Sequence, residues 1–366
     1  MTATSQGDCP RCARLPELPQ AGWTLYVWPP LGHTRAKLLR YLADARVPYA
    51  EGADERALVV TVDDLAAAGG VATLTGALSP EEQADARVLP MPAARAPGLS
   101  DYPRVLSLFR LRRRMEGAPL ANVLADGGIG VVFEPVAAAD DPGDVIAHRA
   151  RLTFPDLSVE QTAEVFELAE DAGLLFQLDR ACRVACIRAA RARGLDTPLF
   201  AAFHPSSIYD PEYCLRTTVA EVERTGLDPE DVIFTLIPSG HGRDVPHLQN
   251  ILSYYRQRDF RVALGEIGGG HGVLDLVKDL RPDYVWLSRD VTENVTADPF
   301  RAVIARKLLE MAHRLGIGTV AVGGLPAADR EWLYEHGITA ISQPERASEV
   351  VVPEGLDAAA GADERL

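Results

Sequence analysis

The chain has 366 residues, of which 47% are hydrophobic and 24% are charged, and its formal net charge is −15. This length and composition suit a globular protein of two domains. The negative charge disfavours nucleic acid or an anionic membrane as a general partner, and no apolar run is long enough to span a bilayer. Five scattered cysteines do not form a disulfide framework, and the first residues contain no apolar signal segment. We therefore expect a cytoplasmic protein.

Residues 1–20 predict a flexible tail that carries a single Cys-x-x-Cys motif, Cys9 and Cys12. Two cysteines supply only half of the four ligands of a structural zinc site. The motif is therefore open to three interpretations: zinc held together with His33 or across a dimer, a redox pair, or two ordinary thiols. No other cofactor is expected.

Residues 21–86 predict a small α/β domain, with strands at 24–28 and 57–62 and apolar residues at helical spacing after each. Residues 87–118 predict a linker and a helix, because 87–100 contain three prolines and no periodic pattern. The helix carries several arginines, which form either a patch for an anion or partner or a solvated face packed between two domains.

Residues 119–350 predict a (β/α)₈ barrel, because strand candidates alternate with amphipathic helices. The candidate strands are 131–136, 145–154, 199–204, 232–237, 262–267, 284–288, 319–324 and 340–342. The first two are joined only by ADDPGD, which is too short for a helix, so this pair should be antiparallel. Residues 351–366 predict a disordered acidic tail.

Several segments of the barrel region resemble the EAL domain of cyclic di-GMP phosphodiesterases, over residues 119–345. The resemblance rests on their order and spacing: FEPVAAADDPGDVIAHRARL, VFELAEDAGLLFQLDRACRVACIRAA, LFAAFHPSSIYDPEY, LRPDYVWLSRDV and AHRLGIGTVAVGGLPAADREWLYEHGI. It implies the barrel of that family with its antiparallel first strand pair. Active members bind two divalent metals on carboxylates and an asparagine, and a lysine assists the attacking water.

The resemblance also indicates which residues of this chain stand at the family's metal-binding and catalytic positions. In chain order they are Arg149, Ala202, Thr235, Gly265, Glu266, Trp286 and Val322. Thr153 stands where the family has an arginine that contacts the substrate. Glu266 is the only carboxylate in this set, whereas Mg²⁺ and Mn²⁺ need several hard oxygen ligands. The sequence therefore predicts a degenerate EAL domain without phosphodiesterase activity.

Three functions remain open for such a barrel. The first is a regulatory or scaffolding protein that acts through protein–protein contacts, as a homodimer. The dimer follows from the resemblance and from apolar residues after the fifth barrel strand, namely Val273, Leu274, Leu276 and Val277. The second is a receptor that binds cyclic di-GMP or another anion without cleaving it, and the third is an enzyme with a rebuilt metal site.

The second and third alternatives each require a binding site formed by specific side chains. An anion site would use Arg149, Arg151 and the backbone N–H groups of GEIGGGHG. A rebuilt zinc or iron site would combine Glu266 with histidines that follow barrel strands, namely His204, His241 and His271. The same histidines are equally consistent with ordinary loop residues. Trp286 would either plug the old site or stack on a planar ligand.

Overall fold

The computed structural model describes residues 15–52, 56–92, 97–154, 157, 162–237, 244–268 and 273–354. These residues divide into two compact units, an N-terminal unit of 15–122 and 163–175 and a barrel unit that contains the remainder. None of the helices in these ranges has the length and apolar character needed to cross a membrane.

The N-terminal unit is a five-stranded antiparallel sheet with helices in its connections, which confirms the predicted small α/β domain. Its elements are β1 (Trp23–Trp28), α1 (Gly32–Asp44), β2 (Ala50–Glu51), β3 (Leu58–Thr61), α2 (Val62–Ala67), α3 (Ala72–Thr75), α4 (Pro80–Asp85), β4 (Arg87–Pro92), a 3₁₀-helix (Leu99–Arg104), β5 (Leu106–Ser107) and α5 (Leu108–Glu116). The strand order is β2-β3-β1-β4-β5. The first four strands thus have the βαββαβ arrangement of a ferredoxin-like fold.

The core of this unit is formed by apolar residues that repeat at the spacing of a strand on β1 and at the spacing of a helix on α1. Leu25 and Val27 alternate on one face of β1, and Leu38 and Leu42 lie one turn apart on α1. All four side chains are fully buried in one cluster. Helix α4 begins with a capping box in which Ser79 and Glu82 exchange hydrogen bonds, as the sequence Ser-Pro-Glu-Glu favours.

The linker predicted for residues 87–100 is wrong at its start, because residues 87–92 form β4. This strand pairs with β1 along its whole length and contributes the fully buried Val88 and Met91. The prolines predict an irregular segment, because a proline has no N–H for the hydrogen bonds of a central strand. However, β5 pairs only with Arg87 and Val88, so the prolines of β4 have no neighbouring strand on that side. The proline side of β4 is therefore a sheet edge, where a missing N–H costs no ladder hydrogen bond. The small domain consequently extends past residue 86.

The barrel unit contains eight strands in a closed sheet. Its elements are the end of α6 (Ala118–Asp126), β6 (Gly130–Ala138), β7 (Val145–Thr153), α8 (Leu175–Arg193), β8 (Leu199–Phe203), α9 (Pro211–Cys214), α10 (Arg216–Thr225), β9 (Val232–Leu236), α11 (Val245–Arg256), β10 (Arg261–Ile267), α12 (Val273–Leu280), β11 (Tyr284–Leu287), α13 (Arg289–Thr292), α14 (Pro299–Leu315), β12 (Gly318–Ala321), α15 (Ala327–Glu335) and β13 (Ala340–Ser342). Helix α7 (Thr162–Ala172) lies between β7 and α8 in the chain but clusters with the N-terminal unit. Short 3₁₀-helices occupy Pro205–Ser207, Pro229–Asp231 and Pro344–Arg346.

Closure of the barrel depends on β6, which is antiparallel to both of its neighbours, β7 and β13. The other barrel strands pair in parallel, in the order β7-β8-β9-β10-β11-β12-β13. The predicted antiparallel first pair and the eight predicted strands are confirmed, with ends that differ from the predictions by at most a few residues.

One residue from each strand forms a ring of buried side chains across the barrel. The ring consists of Val136, Ala147, Phe200, Ile233, Ala263, Trp286, Val320 and Ala340. Trp286 is its largest member and is only 1% exposed. Its indole meets the Phe200 ring edge to face, with 5.2 Å between the ring centroids. The small residues Ala147, Ala263 and Ala340 leave the volume that this indole fills.

Helix α7 belongs to the barrel domain by sequence but clusters with the N-terminal unit. Arg113 of α5 donates a hydrogen bond from Nε to Asp171 Oδ2 at 2.8 Å. A Cβ on Gly117 would lie 2.8 Å from Cβ of Ala172, so only glycine allows this close approach. The helix predicted from residue 101 begins only at Leu108, because Leu106–Ser107 forms the edge strand β5. Leu111 of this helix lies in the core of the N-terminal unit.

The predicted tail begins later than residue 351. Val351 exchanges two backbone hydrogen bonds with Val131, each 2.8 Å long. Residues 355–366 lie outside the described part of the chain, as does the segment 1–14 with Cys9 and Cys12.

Cys182 and Cys186 lie one turn apart on α8 and are both buried, so they pack in the core as their spacing predicts. Burial raises the pKa of Cys182 well above its usual value and that of Cys186 to about 12. Both thiols therefore remain protonated, and neither is a reactive nucleophile.

The volume that Trp286 fills leads to a stability prediction. Replacing Trp286 with Ala should lower the free energy of unfolding of the barrel by about 3–5 kcal/mol, because the eight-residue ring would lose its largest member. Trp286→Phe should cost roughly 1–2 kcal/mol, since a phenyl ring retains much of the contact with Phe200.

Urea unfolding followed by circular dichroism measures both changes. The matched control is Trp332→Phe, because Trp332 is an aromatic residue of the outer helix α15 and lies outside the ring. Equal and small losses for Trp286→Ala and Trp332→Phe would show that Trp286 does not hold the barrel core together.

Candidate functional site

The candidate site lies where the parallel barrel strands end. Six of the predicted positions line one cavity there: Arg149, Ala202, Thr235, Gly265, Glu266 and Trp286. The cavity has a volume of about 20 Å³, which is enough for one water molecule. The seventh position, Val322, packs against the barrel ring instead. Thr153, at the predicted substrate-contacting position, is the last residue of β7.

Arg149 is the central side chain of this cavity. Its Nη2 lies 3.1 Å from Oε1 of Glu266, across the mouth from β7 to β10. Its guanidinium carbon also lies 4.7 Å from the centre of the Trp286 ring, within the range of a cation–π contact. One cation is thus held by a carboxylate and by an aromatic face.

Trp286 lies beneath Arg149 with its ring enclosed by the barrel. A side chain that is so fully buried offers no ring face to a planar ligand, and this agrees with the plug rather than the stacking interpretation. Trp286 Nε1 and Thr235 Oγ1 are buried without a hydrogen-bond partner among the described residues. Both residues line the small cavity.

The backbone at Glu266 has an unusual conformation. Its φ of 46° lies in the left-handed region, and the pairing of β10 with β11 shifts register between Leu264 and Ile267. A non-glycine residue in that region stores strain, and bulges of this type often reorient a side chain at a functional edge. Here the result is a carboxylate that is 56% exposed and faces Arg149.

Gly265 has no space for a second carboxylate beside Glu266. A Cβ at this position would lie 2.9 Å from Cδ1 of Ile237 and 3.1 Å from the carbonyl oxygen of Leu236. The first contact is with a flexible side chain, but the second is with backbone. An aspartate at position 265 would therefore require strand β9 or β10 to shift.

Glu134 is a member of the site that the sequence analysis missed. It lies on β6 opposite Arg149 in the strand register and is only 2% exposed. Its Oε2 is 3.9 Å from Nη1 of Arg151. Counting the register back across the ADDPGD turn would have placed this acid beside the two arginines. Two arginines and two glutamates thus lie close together among the described residues of the mouth.

Of the three histidines predicted for a rebuilt metal site in the barrel, His204 alone lies in the described part of the chain. It follows β8, and its backbone N–H donates to Oδ1 of Asp179 at 2.7 Å. His241 and His271 lie outside the described residues. Among the residues that are described, no three His, Cys, Asp or Glu side chains come together as a metal-binding group. His33 lies 3.6 Å from Glu82 in the N-terminal unit.

The loop that carries His204 is fixed by a buried polar cluster. Asp179 also accepts a hydrogen bond from Ser207 Oγ at 2.5 Å and forms an ion pair with Arg183 one turn along α8. Arg183 in turn donates from Nε to Thr218 Oγ1 at 3.0 Å. Since each charge of the buried pair has a partner, this cluster has a structural role.

The predicted dimer face is only partly available. Leu276 and Val277 are buried in the barrel unit, whereas Leu274 is 56% exposed. The side chain of Val273 lies outside the described part of the structure. The homodimer stays a prediction.

The barrel is similar to known proteins. The EAL domain family matches residues 118–341. Among curated proteins, the signaling protein YkoW of Bacillus subtilis is 22% identical over 192 residues, which are 51% of this chain and 24% of YkoW. An uncharacterized signaling protein of Caulobacter vibrioides is 27% identical over 215 residues, 58% of this chain and 26% of that protein. The aligned region thus spans only about a quarter of these relatives.

Solved structures of EAL proteins are also similar to this chain. A standalone EAL protein from Vibrio cholerae O395 has 25% identity and a TM-score of 0.52, covering 58% of this chain and 89% of its own. The EAL domain of Xanthomonas citri FimX has 20% identity and a TM-score of 0.56, covering 63% of this chain and 91% of its own.

Klebsiella pneumoniae BlrP1 has 15% identity and a TM-score of 0.53, but it covers 88% of this chain and 95% of its own. That match extends the fold similarity beyond the barrel. The family match itself covers more than half of the residues, and it coincides with the closed barrel and its antiparallel first pair. This chain belongs to the EAL domain family.

Proposed function

We propose that this EAL domain protein takes part in cyclic di-GMP signalling without hydrolysing the dinucleotide, as a regulatory or scaffolding protein that acts through contacts with other proteins. The observation that carries the proposal is the ion pair of Arg149 with Glu266 at the barrel mouth. By family resemblance, both residues stand at metal-binding positions. The remaining carboxylate is thus engaged by a cation that belongs to the chain itself.

The electrostatics of the mouth oppose a bound metal ion. A divalent ion about 4 Å from the Arg149 guanidinium would be repelled by roughly 8 kcal/mol at an effective dielectric constant of about 20. Active members of the family instead surround their metal ions with several carboxylates, whose negative charges attract the ions. Here Glu266 and Glu134 each lie beside an arginine, so the charges of these two described pairs cancel.

The ligand set also differs from what magnesium or manganese needs. These ions take several oxygen ligands in a compact shell. Ala202 and Val322 offer none, Gly265 has no room for an added carboxylate, and Thr235 offers one hydroxyl. The residues at these positions therefore do not fit the pair of divalent metals that the family uses.

A non-hydrolysing receptor is the second candidate function. The observation that favours it is Arg151, whose side chain is 57% exposed and whose contact with Glu134 is long at 3.9 Å. Because this side chain is more than half exposed, its guanidinium group is available to an anionic ligand from solvent.

We expect no linear dinucleotide in a single-turnover assay with excess protein, cyclic di-GMP and Mg²⁺ or Mn²⁺. The Arg149→Glu variant should also be inactive, because one added carboxylate does not replace the oxygen ligands missing at Ala202 and Val322. Product that increases with protein concentration and disappears in Glu266→Ala would contradict the proposal. Glu293→Ala is the matched control, since it removes a carboxylate from a different ion pair, with Arg289.

Calorimetry with cyclic di-GMP on the same preparations separates the two candidate functions. Binding that is weakened in Arg151→Gln would support the receptor. The absence of heat at protein concentrations of tens of micromolar would favour the scaffold, for which cyclic di-GMP is not a ligand.

A further inference from the structure

Helix α5 of the N-terminal unit carries four arginines that differ in their surroundings. Arg113 donates hydrogen bonds to Glu116 and Asp171, each at 2.8 Å. Arg112 lies 3.7 Å from Glu116 and above the ring of Phe109. For the other two arginines of the helix, no acidic partner and no side-chain hydrogen bond is found within the described ranges.

These two residues, Arg110 and Arg114, are spaced by four along the helix and therefore lie on the same face. Arg114 is partly buried, and its Nε is shielded from solvent without a hydrogen-bond partner among the described residues. Burial, together with the nearby charge of Arg110, lowers the pKa of Arg114. Two like charges held together, one of them partly desolvated, are unfavourable unless an anion neutralises them.

The residue that lies next to Arg114 is a glycine. Gly173, at the junction of α7 and α8, has a left-handed φ of 78°, and a Cβ there would lie 3.9 Å from Nη2 of Arg114. The left-handed backbone favours glycine, and no side chain at position 173 covers Nη2, whereas Nε is shielded from solvent. The adjacent ion pair of Arg113 with Asp171 holds this junction against α5.

We propose that Arg110 and Arg114 form a binding site for a phosphate group on α5. Two guanidinium groups provide a charge of +2, which a phosphate dianion balances and a single carboxylate does not. Their planar N–H donors match the geometry of phosphate oxygens in bidentate hydrogen bonds. The ligand is either inorganic phosphate or a small phosphate monoester, since both present the same group. This site lies in the N-terminal unit and does not depend on the function proposed for the barrel.

The test uses the full-length protein in thermal unfolding and calorimetry, with potassium phosphate compared with potassium chloride at equal ionic strength. We expect a rise in melting temperature that is specific to phosphate and absent with acetate. Arg110→Gln and Arg114→Gln should each weaken phosphate binding by about tenfold or more, which corresponds to the loss of one charge-assisted contact. Arg112→Gln, on the same helix, should bind as the wild type does.

The melting temperature of Arg114→Gln relative to the wild type, compared between chloride and phosphate, distinguishes a binding site from a structural role of Arg114. In chloride, Arg114→Gln should melt at the same temperature as the wild type or higher, because an unneutralised charge is removed. In phosphate it should melt below the wild type. Arg114→Lys keeps the charge without the planar donors and should bind phosphate with intermediate affinity.

Glycerol 3-phosphate, compared with inorganic phosphate, identifies the source of the phosphate group. Tighter binding of the ester indicates a monoester ligand, and equal binding indicates free phosphate. The proposal is overturned if the wild type shows no phosphate-specific shift, or if Arg110→Gln and Arg114→Gln retain wild-type affinity.

Discussion

The barrel mouth is organised by one guanidinium group, that of Arg149. It lies over the buried indole of Trp286 and against the carboxylate of Glu266. A cation at this point needs an electron-rich ring and an acid beside it, and both are present. Because Trp286 also belongs to the ring of buried residues that closes the barrel, the packing of the core and the charge of the mouth are linked through one side chain.

The backbone of β10 directs a polar side chain toward the barrel mouth. The register shift in β10 and the left-handed Glu266 turn a carboxylate toward the strand ends. That carboxylate meets an arginine, and Glu134 lies near another, Arg151. A site for divalent metal ions needs a high density of negative charge, whereas each of these two described glutamates lies beside an arginine.

Much of the fold was predictable because its signals are periodic. The barrel strands are short apolar runs separated by amphipathic helices, and the brevity of ADDPGD dictated the antiparallel pair. The strand β4 was missed because Pro90 and Pro92 suggest a linker, and only the short partner β5 reveals that they lie at a sheet edge. The placement of α7 was missed because it depends on contacts between segments distant in sequence, such as that of Arg113 with Asp171. Glu134 was missed although the register of the β6–β7 hairpin places it opposite Arg149.

We propose that Arg149 stands where active members of the family hold a divalent metal ion. Electron paramagnetic resonance of Mn²⁺ mixed with the full-length protein tests this proposal most directly, because the signal of free Mn²⁺ decreases when the ion binds. We expect the same free signal with protein as with buffer alone, and no change in Glu266→Ala. A decrease in the free signal that reaches a fixed stoichiometry and is lost in Glu266→Ala would show that the mouth binds metal and that Arg149 does not replace it.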